Sequence, residues 1–260
     1  VSKARTAIVT GSTSGIGLGI ARALAADGCN VVVNSFTDAE EDHALADGIA
    51  REYGVTAAYI QADMSKGEEC RRLVEVTVER FGTVDILINN AGIQHVEAVE
   101  TFPTEKWDAI IAINLSSAFH TIAAAVPHMK RQGKGRIVNI SSAHGLRASP
   151  FKSAYIAAKH GVVGLTKTVA LEVADDHVTC NAICPGYVLT PLVEAQIPDQ
   201  MAAHNMDRET VVREVMLARQ PIREFATVEQ IGAAAVFLCS DNAALITGTT
   251  LSVDGGWTAR

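Results

Sequence analysis

Aromatic side chains are scarce in this 260-residue sequence, at 5%, although hydrophobic residues reach 48%. The core must therefore be aliphatic, as a buried parallel sheet covered by helices requires. Runs of Lys and Arg are missing and the formal net charge is −7. That balance excludes partners held by phosphate neutralisation, such as nucleic acid or an acidic membrane surface, and leaves a small-molecule ligand. Cysteines are few, odd in number and scattered: Cys29, Cys70, Cys180, Cys184 and Cys239. They read as buried free thiols rather than as zinc or redox ligands. No run approaches the length of a membrane span. Val1 to Arg5 leads straight into a β-like stretch without the apolar core of a signal peptide, so the expected location is a thiol-reducing cytoplasm.

What is present is an alternation. Short β-branched runs at Ala7 to Val9, Val31 to Val33, Ala57 to Ile60, Ile86 to Ile88, Ile137 to Ile140, Val178 to Ile183 and Thr250 to Val253 predict seven strands. Between them lie helical spacings such as Ile16-Ile20-Leu24 and Ile231-Ala235-Val236-Cys239, long enough for right-handed crossovers. The expected fold is α/β: one Rossmann-like domain over residues 1–260, with a doubly wound parallel seven-stranded sheet and helices on both faces. No linker or repeat divides it. The strand-free stretch after Pro191 carries a charged, Met-containing segment over 191–220. It reads as a helical lid above the carboxyl edge of the sheet, or as an ordinary surface hairpin.

The first strand runs into Thr10-Gly11-Ser12-Thr13-Ser14-Gly15-Ile16-Gly17 and then a helix. Such a turn brings backbone N–H groups and a helix N-terminus against a pyrophosphate. The second strand ends Val33-Asn34-Ser35-Phe36, without the acid that grips a ribose 2′-hydroxyl, and no nearby Arg or Lys is offered to a 2′-phosphate. NAD is therefore expected over NADP. Asp63 either accepts from an adenine amino group or caps a helix.

Tyr155 and Lys159 stand at i, i+4 on one helix face. A tyrosine titrates near about 10, so acting as a base near neutrality takes about 3–4 kcal/mol. A cation about 4 Å away supplies about 4 kcal/mol at an effective dielectric near 20. With Thr10–Gly17, Asn89-Asn90-Ala91-Gly92, Asn114, Ser142 and Pro185-Gly186 in the same order and spacing, the whole chain resembles the short-chain dehydrogenase/reductase family. The resemblance implies that Tyr155 is the acid/base, that Ser142 orients the substrate oxygen, that Lys159 binds the nicotinamide ribose and that Asn114 holds a relay water. Asn90, Gly92, Pro185 and Gly186 then line the cofactor site. The full candidate cofactor wall is Gly11, Thr13, Ser14, Gly15, Ile16, Gly17, Phe36, Asp63, Met64, Asn90, Gly92, Tyr155, Lys159, Pro185, Gly186, Val188 and Thr190.

Gln94, His144, Lys152 and Gln196 are polar residues that could surround a substrate carboxylate, although each taken singly reads equally as a loop or surface side chain. The segments Asn90 to His95, Ser142 to Leu146, Lys152 to Tyr155 and Ser252 to Arg260 are similar to the bacterial family members that oxidise (R)-3-hydroxybutyrate to acetoacetate with NAD. This implies that Gln94, Ser142, His144, Lys152, Tyr155, Tyr187 and Gln196 form the substrate site. Tyr187 stands where the nearest relatives would carry Trp, which widens the pocket. The resemblance also implies a homotetramer, with Trp257 either on a packing surface or in its own core. It raises a structural cation near the C-terminus, with the Arg260 carboxylate as the one candidate ligand. The rival expectations are an NADPH-dependent reductase of 3-oxoacyl thioesters or neutral ketones, and a non-catalytic NAD(H)-sensing Rossmann protein.

Overall fold

All seven β-branched runs become strands in the computed structural model, which describes residues 4–259: β1 (Thr6–Val9), β2 (Asn30–Val33), β3 (Ala57–Tyr59), β4 (Ile86–Asn89), β5 (Gly135–Ile140), β6 (Val178–Pro185) and β7 (Thr250–Val253). They pair in parallel in the order β3-β2-β1-β4-β5-β6-β7. The helices are α1 (Gly15–Ala26), α2 (Glu40–Tyr53), α3 (Gly67–Phe81), α4 (Thr104–Ile111), α5 (Ser117–Gln132), α6 (Ser153–Glu172), α7 (Pro191–His204), α8 (Arg208–Val211) and α9 (Val228–Cys239).

The period-2 alternation of the strands divides the core in two. Val9, Val31, Val33, Ile86, Ile88 and Ile140 face Ile20, Leu24, Ile49, Ile231 and Leu238 of α1, α2 and α9. Ile8, Val32, Leu87, Ile137 and Cys180 face Leu73, Val74, Ile122, Met129 and Val169 of α3, α5 and α6. Both strand faces are covered, which explains why the strands read as continuous apolar runs. All five cysteines are free and buried. Burial holds the Cys70 and Cys184 thiols up at about 11 and the Cys180 and Cys239 thiols at about 12.

Two features differ from the sequence reading. A π-helical turn, Ala112–Ser116, joins α4 to α5, so Thr104–Gln132 is one helical stretch long and apolar enough, by length and composition, to cross a membrane. No strictly apolar run announced it because polar residues interrupt the sequence. In the fold, Ile122, Ala125 and Met129 of this stretch pack on the sheet as core. The second feature is Asn34. Instead of leaving the end of β2 open to a ligand, its fully buried side chain braces two turns. Its Oδ1 accepts from Gly11 N–H (3.2 Å), and its Nδ2 donates to the carbonyls of Ile60 (3.1 Å) and Ala62 (3.2 Å).

Asn34→Asp keeps the size but turns the donor into an acceptor facing the carbonyls of Ser35, Ile60 and Ala62. Denaturant unfolding should show a loss of about 2–4 kcal/mol. A loss below about 0.5 kcal/mol would mean that the brace contributes nothing.

Candidate active site

The carboxyl ends of β1 and β4 meet at the point where strand order reverses, the usual ligand edge of a doubly wound sheet. Thr10 Oγ1 accepts from Asn90 N–H (2.9 Å) and Ala91 N–H (3.0 Å), and Asn90 Nδ2 donates back to the carbonyls of Thr10 (3.0 Å) and Gly11 (2.8 Å). A Cβ at Gly17 would lie 2.3 Å from Gly11 O and 2.5 Å from Asn90 Nδ2, so only glycine fits there. The first turn of α1 carries no acidic residue, and its N-cap Ser14 makes no side-chain cap bond. This leaves the helix N-terminus and the Gly11–Gly15 turn as a backbone cradle for an anion. Thr190 approaches the same turn: its Cγ2 lies 3.6 Å from the Cβ position of Gly15. These residues fit the pyrophosphate of a nicotinamide dinucleotide.

The adenine end is more mixed. Phe36 is 72% exposed and borders a cavity shared with Gln61, Asp63, Lys66, Glu69 and Arg72. The cations absent from the local sequence therefore arrive from the α3 region, but Lys66 Nζ is held by Glu69 (2.9 Å) and Asp63 (3.6 Å). Asp63 Oδ1 accepts from Ser65 N–H (2.9 Å), a turn bond that lowers its pKa, rather than capping α3, whose N-cap is Lys66. Met64 turns its side chain into the core.

The catalytic candidates gather on the next edge. Ser142 caps a short 3-10 turn, accepting from His144 N–H (3.1 Å), and its hydroxyl lies near enough to Tyr155 to favour the phenolate. Lys159 is buried and donates from Nζ to Ile140 O (2.8 Å), with Nζ 5.6 Å from the Tyr155 ring centroid. Burial pushes the Lys159 ammonium down to about 8. The Tyr155 phenol is pushed up by burial, against the Ser142 hydrogen bond. From the i, i+4 spacing alone, Lys159 is expected to lower the tyrosine directly. The fold instead anchors the ammonium to the end of β5, over the ring. Asn114 lies in the π-turn, where Oδ1 accepts from Ile93 N–H and Nδ2 donates to Ile93 O, both at 2.9 Å. Its side chain therefore secures the loop after Gly92.

A cavity of about 260 Å³ opens beside this edge, lined by His144, Ser149, Lys152, Tyr187, Arg219, Gln220 and Trp257 among others. The His144 ring stands 6.0 Å from Tyr155 and 5.0 Å from Trp257, centroid to centroid, and Tyr187 stacks on Trp257. Two of the four proposed carboxylate ligands, His144 and Lys152, meet here. Gln94 and Gln196 are exposed and lie outside the lining. Both sit on segments whose placement depends on long-range packing, which residue type alone does not reveal. Pro185, Gly186 and Val188 lie outside this lining and flank Tyr187, which belongs to it. Gly186 N–H donates to Val253 O (2.9 Å), and buried Gln220 accepts from Tyr187 N–H (3.2 Å) while donating to the carbonyls of Ile222 and Glu224. Arg219, Ser149 and Gln220 were not singled out from sequence. No local signal marks them, since they come from two distant loops. Trp257 joins the cavity because buried Asp254 accepts from Gly256 N–H and from Thr258 N–H and Oγ1, which fixes the final turn. Arg260 lies outside the described residues.

Burial first, then the charges of Lys152, Arg219 and His160, hold His144 down at about 4. An unfolded histidine titrates near about 6.5, so between these values the unfolded chain binds a proton that the folded one refuses. The stability that goes with a neutral His144 is full above pH about 6.5 and is lost as pH falls through about 4, a total of about 3 kcal/mol. Denaturant titrations from pH 7 to 4 should therefore show wild type losing about that much more than His144→Asn. Parallel losses would contradict a buried neutral ring.

Comparison with known proteins gives a consistent setting. Residues 11–258 match the family described as enoyl-(acyl carrier protein) reductase. The chain is 58% identical over 256 residues to a D-beta-hydroxybutyrate dehydrogenase of Rhizobium meliloti, covering 98% of this chain and 99% of the relative. It is 54% identical to the protein of that name from Cupriavidus necator, covering 98% of each. The crystal structure of a tryptophan-substituted variant of actinorhodin polyketide ketoreductase with NADPH superposes with a TM-score of 0.91 at 34% identity, over 100% of this chain and 99% of the ketoreductase. Matches that run the full length, on a fold whose switch point carries the glycine cradle, leave one assignment: this chain belongs to the short-chain dehydrogenase/reductase family.

Proposed function

We propose that this protein oxidises (R)-3-hydroxybutyrate to acetoacetate, reversibly and with NAD. The observation that carries the reading is the cavity in which Lys152 and the neutral His144 stand beside Tyr155 and Ser142. Lys152 is half-buried; desolvation, then Arg219, lowers its pKa. A cation in that position gains from an anion more than an exposed one does, which suits a substrate carboxylate. Ser142 and Tyr155 share the reacting oxygen, and Tyr155 takes the hydroxyl proton as the carbonyl forms. Lys159, anchored by Ile140, holds the ribose side of the cofactor and keeps a positive charge beneath the phenol. A bound nicotinamide supplies the hydride acceptor. Asn114 keeps the Gly92–Ile93 loop in register with this edge.

NAD rather than NADP is supported by the adenine rim, where Asp63 and Glu69 both engage Lys66 and so compete with a 2′-phosphate for it. The Lys66–Arg72 pair is what favours the NADPH reading, so the cofactor preference is measured directly. The segment 191–220 acts as the substrate lid. Its helices pack on their own small cluster of Ile197, Val211 and Met216, apart from the sheet core, as a moving element needs. The chain assembles as a homotetramer, supported by exposed Trp107, Phe119 and Phe237. Light scattering should return four times the 27.5 kDa chain mass.

With NAD, wild type should turn over (R)-3-hydroxybutyrate at least about a hundredfold faster than the (S)-acid or a neutral secondary alcohol. NADP should be at least about a hundredfold poorer. Lys152→Ala should raise KM for the acid by about 10- to 100-fold. Equal turnover of the neutral alcohol, with Lys152→Ala unaffected, overturns the substrate.

Tyr155→Phe should lower kcat at least about a thousandfold while NADH still binds. Because the base acts deprotonated and burial holds the phenol up, the oxidation rate should rise with pH between 7 and 9. Retained turnover in Tyr155→Phe removes Tyr155 as the base.

A further inference from the structure

His144 meets the site through both its backbone and its ring. Its N–H donates to Ser142 Oγ (3.1 Å), and its Nε2 lies 3.0 Å from Ser149 Oγ. Ser149 is held in turn by Arg219, whose Nη1 donates to the same oxygen at 2.8 Å. All three line the one cavity, although they come from the 3-10 turn after β5, from the loop that precedes α6, and from the end of the 191–220 insertion.

A guanidinium is donor-only, whereas a serine hydroxyl has one proton and two lone pairs. With Arg219 donating to Ser149 Oγ, the hydroxyl proton is left to point elsewhere, and the nearest acceptor given by the geometry is His144 Nε2. We propose that Arg219 and Ser149 are positioning residues for His144: Arg219 orients the Ser149 hydroxyl so that it donates to Nε2, and the ring is presented to the substrate as the Nδ1–H tautomer. His144 then offers a hydrogen-bond donor to a carboxylate without carrying a charge, beside a lysine that already does. The groups around the ring are Tyr155 and Trp257 in T-shaped contact, with Lys152, Arg219 and His160 as the nearby charges. The side-chain partners of Ser149 Oγ are His144 Nε2 and Arg219 Nη1, and of these two only the imidazole nitrogen can accept.

The arrangement also ties the insertion to the chemistry. Arg219 closes the segment that follows α8, and Gln220, next to it, accepts from Tyr187 N–H. Movement of that segment would therefore reset both the tautomer of His144 and the wall at Tyr187.

This inference rests on His144 touching the substrate, and the experiment separates the two claims. Nitrogen-15 spectra of histidine-labelled protein at pH 7 read the tautomer with no substrate present. Wild type is expected to show Nδ1–H at His144. Ser149→Ala should move it toward the Nε2–H form, Ser149→Thr should retain the wild-type signature, and Arg219→Gln should shift it in the same direction as Ser149→Ala. In turnover, Ser149→Ala and Arg219→Gln should raise KM for the hydroxy acid by about tenfold, with kcat within about twofold and NADH binding unchanged. Ser149→Ala removes only one oxygen, so retained NADH binding certifies its fold and keeps the test valid if Arg219→Gln is misfolded. An Nε2–H ring in wild type, or an unchanged tautomer in Ser149→Ala, overturns the relay whatever the substrate. A tautomer shift without any change in KM removes the link to binding. Absence of turnover of the (R)-acid by wild type defeats the functional reading while leaving the tautomer result to decide the relay.

Discussion

The junction between the ends of β1 and β4 is the contact on which the rest of the site depends. Asn90 and Thr10 exchange hydrogen bonds across it, and Gly17 fits beneath because it has no Cβ. From there, constraint passes in two directions. Asn34 ties the glycine turn to the ends of β2 and β3. Ala91 leads to Gly92 and Ile93, which Asn114 clamps to the π-turn between α4 and α5. Loosening the junction would misplace both the glycine turn and the candidate site beside it, since backbone groups have no rotamers with which to recover.

The second organising constraint is the cost of placing charge in a dry site. Lys159 loses solvation and keeps the carbonyl of Ile140 as its hydrogen-bond partner. Lys152 is half-buried with Arg219 nearby, and His144 stays neutral under the same fields. Such groups weaken the free protein and favour a ligand that restores their interactions, so the site trades stability for binding. The buried network beneath it is neutral and satisfied instead: Asn89 donates to Asn139, Thr121 donates to Asn89, and Asn139 donates to Thr166. These bonds join β4, β5, α5 and α6, fixing α6 and hence the pair Tyr155 and Lys159.

Much of this was legible in advance because it is local. A β-branched run buried on both faces is a strand wherever it lies, and a glycine turn between strand and helix has few uses. Tyr155 and Lys159 share a face through helix periodicity alone. Asn34 and Asp63 were less legible, because an amide or carboxylate after a strand can serve a ligand or the backbone. Here Asn34 serves Gly11, Ile60 and Ala62, and Asp63 serves Ser65.

Residue order alone, then, carries the seven strands, the parallel α/β architecture, the glycine turn at the start of α1 and the shared helix face of Tyr155 and Lys159, since each follows from local spacing. The cavity exists only once the chain has folded. His144, Ser149 and Lys152 from the segment around α6's start meet Tyr187, Arg219 and Trp257 from three later segments, while Gln94 and Gln196 stay outside. Such meetings depend on how loops close over a finished sheet. Loop closure depends on packing and on paired polar groups far apart in the chain, and no periodicity records it.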